Sequence, residues 1–429
     1  GGYLPSARRK IEKGLKDGSI QVVVSTNALE LGIDIGQLDV AIMAGYPGSV
    51  SSAWQQAGRA GRRQTVALTI MVASSAPLDQ YIVENPDYFF GKNPETAFVD
   101  RGNLPILMSH LKCAAFELPF KEHEEFVPVI TTQLLDFLAD ERILRKTDGQ
   151  YFWMNDIYPA DEVSLRNATQ ENVVIIDTGN QNRVIGEIDL FAAQEMVHSE
   201  AVYLHGSVPF YVDNLNWDEL KAYVHRVDAD HYTDAITKVD VKVLDILEEE
   251  TVGSYSKAFA EVAVARTTTG YKKIKFRSHE NIGFGRVYLP ELEMQTNALI
   301  FNFNTDFLSS QQLKESAIGE GLKGIAYSMQ NLAPLYVMCD VSDIAVFSMV
   351  RDPFNSRPVI YVYDKYQGGI GLSKKLFHLD QTLIRATLEH IQSCACVYGC
   401  PSCIGPALEV SESAKSHAIT ILKGMLPGY

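Results

Sequence analysis

Apolar residues stand four apart in residues 7–17, ARRKIEKGLKD, where Ile11 and Leu15 sit among charges. That spacing predicts an amphipathic helix. The run 20–25, IQVVVS, is apolar and reads as a buried strand, as do 38–44, LDVAIMA, and 66–73, VALTIMVA. Between the last two, SAWQQAGRAGRR has helix formers in its first half. Helix and strand alternate, which predicts a parallel α/β sheet. Beyond about residue 95 the pattern changes. Residues 104–117 and 131–140 read as helices, and 141–153 as two short strands around an Asp148-Gly149 turn. Helix, helix and hairpin outline a winged helix.

Residues 161–290 hold short β-branched and aromatic runs, VVIID, AVYLHG, PFYVDNLNW and KAYVHRV, separated by turn residues. They predict a small antiparallel barrel or sandwich. Residues 308–332 return to a helical pattern. Strands are expected at 335–347 and 358–364, then a helix over 380–393. No Pro/Gly/Ser-rich linker separates these regions, so they are expected to pack together.

Composition changes this picture in two places. A length of 429 residues, 46% hydrophobic and 21% charged, fits two to four globular domains and excludes a disordered chain. The net charge of −15 argues against nucleic-acid binding by average charge. Yet residues 1–75 carry a net +3 and the remainder −18. The six cysteines are also uneven, because Cys394, Cys396, Cys400 and Cys403 lie within ten residues. A disulfide scaffold spreads its cysteines; a tight cluster reads as a metal site in a reducing compartment, and a cytoplasmic location is expected. No apolar run is long enough for a membrane span.

Three motifs carry chemistry. In VVVSTNALELGIDIG, residues 22–36, a strand ends at Ser25-Thr26 and Gly32, Asp34 and Gly36 follow in a loop. Ligands of parallel α/β sheets sit beyond the carboxyl ends of strands, where a hydroxyl and free N–H groups hold phosphate. A strand, turn and helix cap would read the same. In QQAGRAGRR, residues 55–63, Gln55, Arg59 and Arg62 are four and three apart, one face if helical. Two guanidiniums on one face suit a polyphosphate. The third motif, CACVYGCPSC, has the spacing C-x-C-x3-C-x2-C. Four thiolates close one tetrahedral Zn²⁺ site, with Gly399 and Pro401 making the turn; an iron–sulfur cluster is the alternative. Weaker features are YKKIKFR, residues 271–277, where Tyr271 and Phe276 alternate with bases, and His205, His225 and His231, read as packing residues. Trp54, Cys113 and Cys339 are likewise expected in the core.

GIDIG followed by QQAGRAGR resembles motifs V and VI of superfamily 2 helicases, in the strand–loop–helix context of the second RecA-like domain. With YDKYQGGIGL, GFGRVYLPELEMQT, VYLHGSVPFYVDNL and CACVYGCPSCIGP, the chain resembles the MrfA type of DNA-repair helicase. The resemblance implies Arg62 as arginine finger, Arg59 beside it on the γ-phosphate and Gln55 orienting phosphate or water. It implies Gly32 and Asp34 at the nucleotide, and Thr26, with Asn27 and Arg9, at the DNA strand. The implied cofactors are structural Zn²⁺ and, in the full-length protein, ATP with Mg²⁺. The implied partners are single-stranded or tailed DNA, a first RecA-like domain and a repair nuclease; the implied polarity is 3′ to 5′. Neither G-x-x-x-x-G-K-[ST] nor an Asp-Glu-x-His box occurs, and the chain opens on Gly-Gly. The first RecA-like domain is therefore expected before residue 1, with little ATPase activity in this chain alone. A module that binds nucleic acid without ATP is the other reading.

The expected architecture is α/β plus α+β in four regions. A RecA-like parallel-sheet domain covers 1–97, a winged helix 98–160, an antiparallel β region 161–290, and an α/β zinc-binding region 291–429.

Overall fold

The structure, a computed structural model, describes residues 5–30, 38–61, 66–91, 93–94, 102–127, 130–163, 172–206, 208–406 and 411–426. The amphipathic helix α1 spans Pro5–Asp17. Strands β1 (Val40–Ala44) and β2 (Leu68–Val72) pair in parallel, joined through helix α2 (Val50–Ala57), as the alternation predicts. Helices α3 (Pro77–Glu84) and α4 (Pro86–Gly91) follow. Buried Asp79 accepts N–H groups from Tyr46 at 3.0 Å and Ser74 at 2.6 Å, which fixes the carboxyl ends of both strands.

The run 20–25 is not a buried strand. It makes no ladder, and Val22 and Val24 are 82% and 97% exposed. Its apolar pattern is that of a strand, but a strand exists only through a neighbour's N–H and C=O groups. Here a cleft of about 870 Å³ lies between Gln21–Asn27 and the residues of β1.

The winged helix forms as expected from α5 (Leu104–Glu117), β3 (Phe120–Lys121), α6 (Thr131–Asp140), β4 (Leu144–Thr147) and β5 (Gln150–Trp153). Positive φ at Asp148 (51°) and Gly149 (72°) makes the two-residue hairpin turn. Its core is Leu107, Leu111, Leu135, Leu138, Leu144 and Tyr151.

The β region divides differently from the expectation. Strands β6 (Asn172–Asp177), β7 (Arg183–Asp189), β8 (Val202–His205), β9 (Val208–Asn216) and β10 (Lys221–Arg226) form one sheet in the order β7-β6-β10-β9-β8, covered by α7 (Leu190–Met196). One of its pairs, β6 with β10, is parallel, so the unit is not a purely antiparallel barrel or sandwich. The long strands β11 (His231–Val252) and β12 (Tyr255–Lys275), with β13 (Asn281–Arg286), leave it and join β14 (Leu292–Phe303) across residue 290. The four-region division at 290 therefore cuts through a sheet.

That sheet continues through two further strands, Val359–Asp364 and Ile344–Met349, to the helical layer. In chain order come α8 (Thr305–Ser310), α9 (Glu315–Val337), β15 (Ile344–Met349), β16 (Val359–Asp364), α10 (Leu372–His378), α11 (Asp380–Ser393) and α12 (Ala414–Met425). The strand expected at 335–347 starts late: α9 runs through Pro334 to Val337 and stops where Met338 takes a left-handed φ of 58°, and the strand begins at Ile344. A buried helix end and a buried strand share one apolar pattern. Leu78 and Ile82 of α3 pack on Leu332 and Leu335 of α9, and Asn103 donates to Gln367 O at 2.9 Å. The regions pack together as expected. Among the described residues no helix is long and apolar enough to cross a membrane.

Candidate functional site

Motif V enters as an extended segment followed by a single 3₁₀ turn, Asn27–Leu29. Thr26 stands at its N-cap without a capping hydrogen bond, and Thr26 and Asn27 are exposed in the cleft beside β1. Gly32, Asp34 and Arg62 lie outside the described residues. Arg9 is exposed on α1, but the contact to motif V is made by its neighbour, since Arg8 Nη2 donates to Ala28 O at 2.8 Å.

Motif VI is not one helical face. α2 ends at Ala57 with Gly58 as its C-cap, so neither Gly58 nor Gly61 lies inside a helix and Arg59 lies beyond its end. The chain turns instead. Gly61 has φ +82°, and an added Cβ would meet the Ala67 side chain at 2.5 Å, so only glycine fits both the conformation and the space. The Arg59 guanidinium folds back, with Nε donating to Gln55 O at 3.3 Å, which keeps Gln55 and Arg59 together. Thr26 and Asn27 are joined in their cleft by Gln56, not by Gln55.

Three hydrogen bonds tie the two motifs and the residues beside them together. Gly61 N donates to Leu38 O at 3.0 Å. Glu30, 8% exposed, accepts from Ser52 Oγ at 2.7 Å and Gln56 Nε2 at 3.0 Å. Sequence reasoning passed over Glu30, Ser52 and Gln56. The available signal was a carboxylate inside the apolar run ALELG, which must find donors once buried.

The third motif closes a metal centre. One ligand atom from each of Cys394, Cys396, Cys400 and Cys403 lies within 4.8 Å of the others. Four of the Sγ···Sγ separations are 3.5, 3.5, 3.5 and 3.8 Å. A tetrahedron with Zn–S near 2.3 Å has edges of about 3.8 Å. The four cysteines are the ligand set of a structural zinc, with no open position for substrate. Gly399, at φ +118°, makes the turn, because a Cβ there would run into Ile404. Burial pushes the Cys394 and Cys403 thiols up. Cys396 is desolvated as well, but hydrogen bonds from the other thiols and nearby Lys415 draw it down to about 7.

Lys415 is the neighbour that sequence reasoning missed. It is 7% exposed, and its Nζ donates to Cys394 O and Cys396 O, both at 2.7 Å, and approaches Cys396 Sγ at 3.5 Å. Among the described residues it pairs with no carboxylate. Four thiolates around Zn²⁺ leave two negative charges, and a buried ammonium offsets one of them. Lys415→Met is expected to weaken zinc binding by about 10–100-fold, as loss of a second-layer partner does. Competition with a chromogenic chelator measures it, and unchanged affinity would show that Lys415 only fills space.

The other sequence candidates are structural. His225 and His231 pair with Asp213 and Asp230 at 2.9 and 3.0 Å, and His205 sits against Tyr203. Gly368, Gly369 and Gly371 make the tight turn before α10, where the Asp364 carboxylate accepts N–H groups from Ile370, Leu372 and Ser373. Trp54 is not a core residue. It is 48% exposed and stacks on Phe89 at 5.2 Å. Cys113 and Cys339 are half-buried rather than buried.

Known proteins match this arrangement in chain order. The helicase conserved C-terminal domain matches residues 1–64, the winged helix domain of ATP-dependent helicase HRQ1 residues 99–168, and the MrfA Zn-binding domain residues 325–404. An uncharacterized ATP-dependent helicase, YprA of Bacillus subtilis, is 46% identical over 99% of this chain and 56% of its own length. ATP-dependent helicase HRQ1 of Saccharomyces cerevisiae is 30% identical over 94% of this chain and 39% of its own. The crystal structure of DUF1998 helicase MrfA bound to DNA superposes with a TM-score of 0.71 at 46% identity, covering 99% of this chain and 57% of that one. MrfA bound to DNA and AMPPNP gives 0.67 at 44% identity, covering 99% and 55%. The chain thus spans between 39% and 57% of the length of these relatives. In these three segments, in their order and in the shared fold, the chain is similar to the C-terminal region of superfamily 2 helicases of the MrfA type.

Proposed function

We propose that the chain is the part of an ATP-dependent DNA helicase that holds single-stranded DNA and supplies the arginine-finger side of the ATP site. The observation that carries this is the hydrogen bond from Gln56 of motif VI to buried Glu30 of motif V, beside β1. A relative of 44% identity crystallised with DNA and AMPPNP supports it. Arg62, with Arg59 beside it, meets the γ-phosphate, and Gln55 orients phosphate or water. Gly32 and Asp34 meet the nucleotide. Thr26 and Asn27 hold the DNA backbone, with Arg9 nearby. The phosphate cradle and the Mg²⁺ ligands come from a first RecA-like domain. Translocation from 3′ to 5′, a role in repair and a nuclease partner belong to the same reading.

The zinc centre does no chemistry here. When bound, zinc would supply a fixed positive charge for Cys394, Cys396, Cys400 and Cys403, and the chain's own residues hold α11 and α12 around the site. The 429-residue chain is expected to bind single-stranded DNA with log K falling by about 0.7 per phosphate contact for each decade of salt. Its ATP turnover is expected to stay at background with DNA present. Phosphate release and fluorescence anisotropy test both points. DNA-stimulated turnover that disappears in Arg62→Ala would refute the division of the ATP site, and absence of DNA binding would refute the strand-holding role.

A further inference from the structure

The basic run 271–277 forms a different surface from the one its sequence suggests. Tyr271 is 1% exposed, donates to Glu200 at 2.6 Å and stacks on His198 at 4.8 Å. It cannot stack on a base. Its register partner is Gly285, and the Tyr271 ring occupies the space a Cβ there would take. That face of the β11–β12–β13 ladder is therefore packed inward.

The opposite face is open. Across the ladder Lys272 pairs with Phe284 and Gly270 with Arg286, while Asp234 and Ile236 of β11 stand opposite Lys272 and Gly270. Residues paired across an antiparallel ladder share a face. That face presents Phe284 at 69%, Ile282 at 44% and Ile236 at 36% exposure, with Arg286 exposed beside them. Tyr288, 87% exposed, lies just past the strand. Exposed Arg277 follows β12. Neither Lys272, Arg277 nor Arg286 has an ion-pair partner among the described residues. In a segment of net charge −18 beyond residue 75, two cations without an ion pair beside an exposed ring are a local exception.

We infer that the outer face of β12 and β13 is a binding platform for single-stranded nucleic acid, with Phe284 stacking on a base and Lys272 and Arg286 on its phosphates. Every base has a flat face, so such a platform reads no sequence. Ile282, Phe284 and Arg286 recur at about 6.8 Å along one strand face, an extended spacing that suits an extended polynucleotide. Charge selects this occupant. A protein partner fitted to the same face would have to be acidic and apolar at once, whereas nucleic acid brings both phosphate and ring.

The test uses the 429-residue chain and fluorescein-labelled dT20, with rU20 alongside to separate DNA from RNA. Phe284→Ala is expected to weaken dT20 binding by about tenfold, within the range for one stacked base. Arg286→Gln is expected to make the slope of log K against log salt shallower by about 0.7. Iodouracil-substituted dT20 is expected to cross-link within residues 281–288. Phe284 is exposed, so circular dichroism of the variant should match the parent. If both variants bind dT20 as the parent does, or the cross-links fall elsewhere, the platform is wrong while the motif V reading stands. Phe284→Ala that changes self-association and not dT20 affinity assigns the face to a protein contact and overturns the proposal. A parent that binds neither oligonucleotide refutes both.

Discussion

Chelating zinc from the purified chain is expected to unfold its C-terminal half. Structural zinc sites bind with about 10–16 kcal/mol near neutral pH, and whole domains are stable by only about 5–15 kcal/mol. The site here is part of the core. Cys403 is fully buried, and with Ile404 it packs among Leu322 and Ile325 of α9, Leu388 and Ile391 of α11, and Ala418 and Ile421 of α12. Tyr327 of α9 donates to Pro401 O at 2.7 Å, and His390 of α11 contacts Ser402 O at 2.6 Å. Without the metal, up to four thiolates share one small volume, and they must protonate or separate. Separation pulls the knuckle from three helices at once. The expected result is one zinc per chain by mass spectrometry, and loss of a large part of the helical circular dichroism on chelation. Cys403→Ser is expected to be insoluble or to melt far below the parent. Acid acts in the same direction, because each ligand must lose its proton to bind. An apo chain that melts at the parent's temperature would remove zinc from the fold, and visible absorption by the purified chain would point to iron–sulfur instead.

What the sequence made legible follows from which interactions are local. The four-cysteine centre could be read directly, because all its ligands lie within ten residues. The winged helix was readable for the same reason, each helix and the Asp148-Gly149 turn being set by neighbours in the chain. Pairing between distant strands was not. Nothing in the run 231–252 says that it joins a ladder reaching Phe303, and the boundary at 290 fell inside a sheet for that reason. The run 20–25 carries a strand's composition but has no ladder partner among the described residues. Tyr271, read as a stacking residue, is buried instead, because alternation assigns residues to two faces without saying which one is covered. His198 and Glu200, distant in sequence, cover the Tyr271 face. Motif VI was located by its residues, but its shape was misread. Gln55, Arg59 and Arg62 have helical spacing, while the glycines that separate them end the helix instead of decorating it.

That turn bears on the second large effect, in the full-length protein. Arg62→Ala is expected to lower DNA-stimulated ATP turnover by about 10³–10⁵, the range for removal of an arginine finger. In activation free energy that is roughly 4–7 kcal/mol. The argument is electrostatic. Negative charge builds on the transferring phosphoryl oxygens in the transition state, and a guanidinium held there is worth most at that moment. Holding it requires a rigid backbone. Gly61, fixed by its N–H on Leu38 O and by its fit against Ala67, sets the direction in which the chain leaves toward residue 62. Arg59 is anchored one step earlier by the Gln55 carbonyl. Arg62→Lys should restore little, since an ammonium cannot offer the planar two-pronged contact. The readout separates the finger from a structural role. kcat falls while ATP affinity changes little and DNA affinity without nucleotide stays constant. Gly61→Ala should reproduce much of the loss without touching a charge, because its Cβ displaces the segment at Ala67. If Arg62→Ala instead raises KM for ATP and leaves kcat intact, the residue binds the ground state only, and the finger must be sought at Arg59.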